Sequence, residues 1–314
     1  MPRLRSRSRS HLALRASMLA LHALALLAVP AIARAQACCA GTGALTPGRL
    51  SLHEDALAGV QLRAASVVGS FGADGRYTSS PARTSEYDFE QDFFGALRVL
   101  DRGQVALLVP LVETRRATKA ASELGGGLGD INASARYDFY LAGRSRYAPG
   151  IAALAGVTFP TGTPPESASN PLATDSTGVG AFQANVGVAI EQVYGAWLFN
   201  VTALAAQRAA RSTQGIDETL GTQLTMLVGA AYTFANEAAL ALFASYAYEG
   251  DATIAGATAK GSARRIALVS ASGVYPLSDH VRLQASLFGN PPASSFGANL
   301  PATAGLSFTF VRSW

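Results

Sequence analysis

Histidine and cysteine are scarce in this chain, which has four histidines and two cysteines among its 314 residues. The cysteines, Cys38 and Cys39, are adjacent in the sequence, so a disulfide between them could not join distant parts of a fold. Zinc and transition-metal sites in proteins draw largely on these two residue types. We therefore expect no metal centre, and no motif in the chain predicts another cofactor.

Charged residues are also few, at 15% of the chain, and the basic ones are unevenly placed. Six of the 25 lysines and arginines lie in residues 1–36, which contain no acidic residue. Without this stretch, 19 basic side chains remain against 21 acidic ones, so the net charge falls from +4 to about −2. A chain of this charge gives no indication of nucleic-acid binding.

Residues 1–36 have the three parts of a secretory signal. An arginine-rich start is followed by the apolar run "ASMLALHALALLAVPAIA" and by small residues at Ala33 and Ala35. We predict a cleaved signal peptide over residues 1–36, a periplasmic N-terminal segment over 37–56 and a folded domain over 57–314. An uncleaved membrane anchor, or lipidation at "AQAC", are the alternatives.

Long apolar runs are absent beyond this leader, where no 18 consecutive apolar residues occur. The sequence therefore predicts no membrane-spanning helix. Alternation is present instead. In "DINASARYDFYL", apolar residues from Ile131 to Leu141 occupy the odd positions and polar residues from Asp130 to Asp138 the even ones, which is the period of a two-faced strand. Ten such residues tilted by about 45° rise about 24 Å, close to the apolar band of outer-membrane barrels.

The connections between such segments are short and long in turn, as in barrels with tight periplasmic turns and longer external loops. We predict an all-β, transmembrane, up-and-down antiparallel β-barrel of about 12 strands, with 10 or 14 as alternative counts. A soluble periplasmic sandwich is the competing fold. The predicted strands are 57–71, 92–101, 104–114, 129–141, 148–160, 179–191, 195–208, 220–234, 238–249, 263–275, 280–289 and 299–314. The predicted long loops are 72–91, 115–128, 161–178, 209–219, 251–262 and 290–298.

The last strand, "AGLSFTFVRSW", places Leu306, Phe308 and Phe310 on one face and ends on Trp314. A terminal aromatic on an alternating strand is similar to the signal that outer-membrane insertion machinery recognises. We therefore predict an outer-membrane location, with membrane lipid, lipopolysaccharide and the barrel-assembly machinery as partners. Arg312 interrupts the apolar face, and we expect it at the membrane interface, where a charge costs little.

The polar faces of the predicted strands supply the candidate functional residues. As lumen-facing side chains we predict Gln61, Arg63, Arg98, Asp130, Asn132, Arg136, Asp138, Gln183, Asn185, Asn200, Gln223, Arg282 and Gln284. They would line a solute path, or they would form a polar plug in which Arg136 is neutralised by Asp130 and Asp138. His53 and His280, the histidines beyond the leader, lie before the first strand and at a predicted periplasmic turn. Enzymatic barrels commonly use a histidine near the outer rim, so we predict no enzymatic activity.

Two glycine-containing motifs of the chain resemble those of one protein family. "GLGDINASARY" begins at Gly127, and "GVTFPTG" ends at Gly162 before a long loop. They resemble the outer-membrane family named for the meta-pathway of phenol degradation, whose members look like β-barrel channels or transporters and bring no catalytic residues. The resemblance implies shape-defining roles for Gly127, Gly129, Asp130, Pro160, Thr161 and Gly162.

The function predicted from these features is an outer-membrane channel or transporter for small solutes, with hydrophobic or aromatic compounds as one class. The transported solute itself stays unknown. The alternative is a closed structural or surface-interaction barrel without transport activity. Its contact surface would be the predicted loop 72–91, where acidic residues such as Asp74 and Glu86 lie among tyrosines.

Overall fold

The structure, a computed structural model, describes residues 49–213 and 215–314. The predicted signal peptide, and the predicted periplasmic segment up to residue 48, lie outside the described residues. A single turn of 3-10 helix at Pro165–Ser167 interrupts the strands and loops of this part of the chain. No helix within the described ranges is both long enough and apolar enough to span a membrane.

Nineteen strands lie in the described part of the chain, numbered here in chain order. They are β1 (Ala56–Phe71), β2 (Tyr77–Ser79), β3 (Ser85–Leu100), β4 (Gly103–Ala117), β5 (Ser122–Leu128), β6 (Ile131–Tyr140), β7 (Gly150–Phe159), β8 (Gln183–Tyr194), β9 (Trp197–Arg208), β10 (Arg211–Thr213), β11 (Ile216–Thr219), β12 (Gln223–Thr233), β13 (Ala239–Glu249), β14 (Thr253–Ile254), β15 (Ala257–Thr258), β16 (Arg264–Ser278), β17 (Val281–Gly289), β18 (Gly297–Ala298) and β19 (Leu300–Ser313).

Twelve of these strands close into a barrel. In order around the wall they are β1, β3, β4, β6, β7, β8, β9, β12, β13, β16, β17 and β19, and every neighbouring pair is antiparallel. The last strand returns to the first, with Ser313 opposite Leu57 and Leu300 opposite Phe71. The predicted twelve-stranded up-and-down barrel is therefore confirmed, and the sandwich is excluded because the described sheet closes on itself.

The two faces of the barrel strands differ as the alternation predicts. On β9, Leu198, Asn200 and Thr202 are buried, whereas Phe199 and Val201 between them are exposed. Apolar side chains thus cover the outside of the wall and a mixture of polar and apolar side chains lines the inside, which is the arrangement that a bilayer requires of a barrel.

Arg312 lies on the outer face of β19, two residues from the chain end. Its guanidinium lies 5.2 Å from the centre of the Trp314 ring. A stacked arginine and tryptophan at a strand end suit the polar boundary of a membrane.

The predicted loop over residues 72–91 is wrong in its second half, because β3 begins at Ser85. Glu86, Asp88 and Glu90 alternate with Tyr87 and Phe89 in this stretch, so the acidic residues belong to the inner face of a strand. The predicted loop over 115–128 is also shorter than expected, since β4 runs to Ala117 and β5 occupies Ser122–Leu128. A stretch rich in charged residues is typical of a loop, but a strand can also carry charged residues on the face that points into the barrel.

Pro110 lies inside β4 although proline cannot donate a ladder hydrogen bond. At this position β4 changes partner on one edge, from β6, which it pairs through Leu108, to β5, which it pairs from Leu111. The carbonyl of Pro110 accepts a hydrogen bond from the Gly129 N–H at 2.8 Å. The proline therefore occupies a break in the neighbouring strand, where no donor is needed.

Candidate functional site

The lumen brings most of the predicted inward residues together, in three layers. Asn132, Arg136, Gln183, Asn185, Asn200 and Gln223 line a central cavity. Arg98 and Arg282 lie at the end of the barrel that carries the short turns, which we name the periplasmic end after the sequence prediction, and there they bind the segment that precedes β1. Arg63 lies in the external half beside Glu90, at 2.8 Å. The Gln61 amide donates to the Thr309 hydroxyl on the neighbouring strand β19, and the Gln284 amide donates to the Ser286 hydroxyl on its own strand, β17.

Asp130 is placed elsewhere, in the break between β5 and β6. Its carboxylate accepts hydrogen bonds from the backbone N–H groups of Gly162, at 2.9 Å, and Val179, at 2.7 Å. The Thr161 hydroxyl donates to the Gly129 carbonyl at 2.6 Å. The two motifs behind the family resemblance therefore contact each other, and they hold both ends of the loop between β7 and β8.

That loop, residues 160–182, folds over the inner side of the β4–β5 extension at the external mouth. Arg116, which points inward from β4, donates to the carbonyls of Leu172 and Ala173 at 2.8 and 2.9 Å. The same guanidinium pairs with Glu86 at 3.0 Å. The loop is thus fixed at its base by Asp130 and at its tip by Arg116, and it narrows the external opening.

Removing the carboxylate in Asp130→Ala should loosen this loop, because two backbone N–H groups lose their acceptor. We expect faster proteolytic cleavage within residues 163–178, followed by mass spectrometry of the fragments. Asp251→Ala is the matched control, since the Asp251 carboxylate accepts from the Ala263 N–H in a different external loop. Equal cleavage rates within 163–178 in Asp130→Ala and the unmodified protein would contradict the assignment.

A segment that precedes the barrel, residues 49–55, crosses the periplasmic end of the lumen. At its start, both terminal nitrogens of the Arg49 guanidinium donate to the Glu191 carboxylate on β8. Near its end, the Glu54 carboxylate accepts from Arg282 on β17. Because β8 and β17 are five strands apart in a wall of twelve, the segment spans the mouth from one side to nearly the other.

The middle of this segment is held by both polar and apolar contacts. The Leu50 N–H donates to the side-chain carbonyl of Gln104 at 3.0 Å. The Leu50 side chain, 6% exposed, belongs to a buried cluster with Leu57, Phe94 and Val311. Residues 49–55 therefore form a strap that fills the lumen opening, and we call them the N-terminal strap.

Glu191 is the centre of a buried charge network beneath the cavity. Its side chain is 2% exposed and binds Arg136, at 3.0 Å, in addition to Arg49. Arg136 also pairs with Asp138 at 2.7 Å. Two cations and two anions thus balance, as buried charges require. The sequence predicted that Asp130 and Asp138 would neutralise Arg136. Asp138 does pair with it, but Asp130 lies elsewhere, and Glu191 is the second carboxylate partner of Arg136.

Glu54 also fastens the strap, and its ionisation is linked to the fold. Burial raises the pKa of the Glu54 carboxyl, but hydrogen bonds from Arg282 and the Ser51 backbone and the Arg282 charge outweigh burial, so the pKa is below its usual value. A carboxyl whose pKa is lowered in the fold stabilises the fold at pH values above its usual pKa of 4.5. This stabilisation is lost as the pH falls through the lowered pKa.

We therefore expect the N-terminal strap to detach under acidic conditions. Proteolysis at residues 49–55 should accelerate below about pH 4.5 and should be slow at pH 7. Glu54→Gln should show fast cleavage already at pH 7, with no further rise on acidification from this group. An unchanged cleavage rate across this pH range would contradict the role of Glu54.

The external half of the lumen carries a row of four acidic residues on β3, and the first three of them lie in the stretch 72–91 that was predicted as a loop. Glu86, Asp88, Glu90 and Asp92 occupy successive inward positions of β3. Arg116 and Arg63 pair with Glu86 and Glu90, and the Thr114 hydroxyl donates to Asp88 at 2.8 Å. The alternation of acidic and aromatic residues from Glu86 to Glu90 is the sequence signal that identifies this strand face.

A cavity of about 340 Å³ lies between the loop over residues 160–182 and the N-terminal strap. Its polar lining consists mainly of side-chain amides, from Gln104, Asn132, Gln183, Asn185, Asn200 and Gln223. Its apolar lining includes Leu108, Leu154, Leu204 and Leu227. A cavity of this size with a mixed lining is at the lower end of the range for small-molecule sites.

Inward glycines keep large side chains flat against the wall. Gly59 lies directly opposite Phe94, and a Cβ added to this glycine would lie 2.5 Å from the ring. Gly305 is related to Phe288 in the same way, with a separation of 2.6 Å. The rings therefore cover the glycines instead of pointing to the barrel axis, which preserves interior space.

In the described ranges, no group of three or more histidine, cysteine, aspartate and glutamate side chains is arranged to hold a metal ion. The residues that sequence reasoning missed are Arg49, Glu191 and the β3 carboxylates. Glu191 continues the inward register of β8, but the predicted strand ended there. Arg49 precedes the predicted barrel, so no strand pattern pointed to it.

No protein-family model and no curated protein matches the chain. Among solved structures, it is similar to an outer membrane channel from Pseudomonas putida F1, with a TM-score of 0.69 and 14% identity over 85% of this chain and 97% of that chain. The transport unit of the autotransporter AIDA-I from Escherichia coli has a TM-score of 0.43 and 7% identity, covering 85% and 93% of the two chains. The NanC porin has a TM-score of 0.41 and 8% identity, covering 81% and 98%.

The similarity to the Pseudomonas channel concerns the fold, because 14% identity says nothing about which solute passes. It agrees with the closed wall, the apolar exterior and the alternation of short and long connections. The chain therefore has the fold of a transmembrane, outer-membrane-type β-barrel of twelve antiparallel strands.

Proposed function

We propose that this protein is an outer-membrane channel for small solutes. The observation that carries the proposal is the central cavity of about 340 Å³ inside a closed twelve-stranded wall, with amide side chains on its lining. A barrel that served only as a scaffold would be expected to fill this volume with side chains. Polar groups around an internal space are instead what a solute path requires.

The proposed path has a narrowing at each end. The loop over residues 160–182 constricts the external mouth, and the N-terminal strap occupies the periplasmic mouth. We infer that the strap is the movable part, because it lies outside the barrel ladder for most of its length and is joined mainly by side-chain contacts. Opening would require the Arg49–Glu191 and Glu54–Arg282 pairs to separate.

Membership of the family named for the meta-pathway of phenol degradation is part of this proposal. Support comes from the contact between the two motifs, in which Asp130 and Thr161 join the start of β6 to the loop after β7. Hydrophobic or aromatic compounds are one candidate solute class, since leucines line the cavity beside the amides. Outer-membrane lipid, lipopolysaccharide and the assembly machinery are the proposed partners.

The alternative of a closed surface-interaction barrel has lost the second half of its proposed contact surface, because β3 begins at Ser85. Glu86 and Asp88 face the lumen and bind Arg116 and Thr114, so they are not presented on an external loop. No further observation in the described residues favours that function.

Single-channel recording in planar bilayers tests the channel proposal, together with liposome swelling in solutes of graded size. We expect discrete conductance steps and swelling that stops for solutes too large for the cavity. Heat-modifiable migration in detergent gels should first show that the barrel is folded. A folded barrel that passes neither ions nor small solutes, with the strap intact or detached by Arg49→Ala, would refute the proposal.

A further inference from the structure

We propose that the central cavity binds a small uncharged solute bearing hydrogen-bond acceptor oxygens, with the Asn200 amide as its principal donor. This inference rests on the proposed channel function and names the class of solute. It is carried by an unused buried donor, by the direction of the neighbouring amides and by the balance of charge around the cavity.

Asn200 lies in the middle of β9 and lines the cavity from the inner face of the wall. Its side chain is 4% exposed, and its amide nitrogen has no hydrogen-bond partner among the described residues. Buried donors are nearly always satisfied, because an unsatisfied one loses its bonds to water without replacement. This nitrogen is covered in the structure, so binding requires the Asn200 amide to turn toward the cavity that the residue lines.

The amides beside Asn200 are oriented by the protein to donate as well. Gln183 and Gln223 each use the side-chain carbonyl to accept from Arg208, both at 2.9 Å. The side-chain NH₂ groups of both glutamines therefore remain available to donate hydrogen bonds to a solute. Donors from β8, β9 and β12 thus converge on one cavity, so the complementary ligand presents acceptor oxygens.

Charge around the cavity is balanced, so a charged solute gains no counter-ion there. Arg49 and Arg136 are compensated by Glu191 and Asp138, and Arg208 pairs with Glu249. A carboxylate or an ammonium group would lose its hydration without an unpaired partner. The leucines of the lining accept an apolar carbon body. A neutral ketone, alcohol or ester oxygen on a small hydrocarbon frame meets all these conditions.

Titration calorimetry on the full folded chain in detergent tests this with three matched cyclohexyl probes. The probes are cyclohexanone, cyclohexanecarboxylate and cyclohexylammonium. We expect cyclohexanone to bind at least tenfold more tightly than either charged analogue. In Asn200→Leu, which removes the donor at similar volume, cyclohexanone affinity should fall about tenfold.

Thr233→Val is the matched control. The Thr233 hydroxyl is also buried and without a partner, but it lies outside the cavity lining, so its loss should leave cyclohexanone affinity unchanged. Asn200→Asp keeps the side-chain shape and loses the donor, so it should also weaken binding if Asn200→Leu does not fold.

Two results would overturn the inference. Cyclohexanone would bind no better than the charged probes, or the Asn200 variants would bind it as the unmodified protein does. Conductance without cyclohexanone binding removes the proposed ligand class and leaves the channel. Binding at Asn200 without conductance or swelling removes the channel and leaves the site.

Discussion

Replacing Arg49 by alanine is expected to raise the open fraction of the channel more than any other single change. Both terminal nitrogens of the Arg49 guanidinium donate to the Glu191 carboxylate, and this ion pair fastens the start of the strap to β8. Loss of one partner of a buried ion pair typically costs about 3 kcal/mol or more. At that cost the ratio of detached to attached strap rises about a hundredfold. Single-channel recording should show larger or longer openings.

Arg102→Ala is the control for this measurement. Arg102 also lies at the periplasmic end, but its guanidinium makes an exposed hydrogen bond to the Phe139 carbonyl at 3.2 Å and forms no ion pair with the strap residues that the structure describes. Glu191→Ala, alone and combined with Arg49→Ala, completes a double-mutant cycle. The double variant should open little more than Arg49→Ala. Unchanged conductance in Arg49→Ala, with the strap shown by proteolysis to be detached, would exclude the strap as the gate.

The fold could be predicted from the sequence because a barrel wall is a local, repeated pattern. Each strand faces lipid on one side and the lumen on the other, so the alternation of apolar and polar residues in a window such as "DINASARYDFYL" is enough to identify β6. The number of strands follows by counting. The same rule fails where composition misleads, as in β3, where Glu86 and Asp88 were assigned to a loop although they alternate with Tyr87 and Phe89.

The site was less accessible because its decisive contacts join distant parts of the chain. Arg49 and Glu191 are 142 residues apart, and Glu54 and Arg282 are 228 apart. No period or spacing encodes such pairs. The inward position of Asn200 follows from alternation, but its unpartnered amide depends on what β8 and β12 place beside it. Strand register can be inferred locally, whereas the filling of a lumen cannot.

The two closures of the lumen differ in kind. The external loop is held by backbone groups that cap Asp130 and by Arg116, and its ends belong to barrel strands. The strap is held mainly by side-chain charges and by one leucine, and only its last residue, Asp55, bonds to the Trp314 carbonyl beside the barrel ladder. Side-chain pairs can exchange with water at a mouth, while a loop tied at both ends cannot swing away. This asymmetry is why we assign gating to the strap.

Gly229→Ala is expected to destabilise the barrel by about 1–3 kcal/mol. Gly229 lies on the inner face of β12, directly opposite both Asn200 on β9 and Phe243 on β13. A Cβ at this position would overlap the Phe243 ring and the Asn200 side-chain oxygen. The ring is 6% exposed within the cluster of Leu198, Leu227 and Val274, so it has no free direction except the lumen. Urea unfolding in lipid vesicles measures the change in the free energy of unfolding.

Gly273→Ala, on the outer face of β16, is the control for a strand glycine with room for a methyl group, because a Cβ there would meet its nearest neighbour, a Leu240 methyl, at an ordinary 3.4 Å. We expect this variant to unfold within about 0.5 kcal/mol of the unmodified protein. Adding Phe243→Leu to Gly229→Ala should recover part of the loss, because the smaller side chain vacates the space that the Cβ needs. Equal stability of Gly229→Ala and Gly273→Ala would show that the Phe243 ring can move aside without cost, and the flat packing of rings on inward glycines would then not be what shapes the lumen.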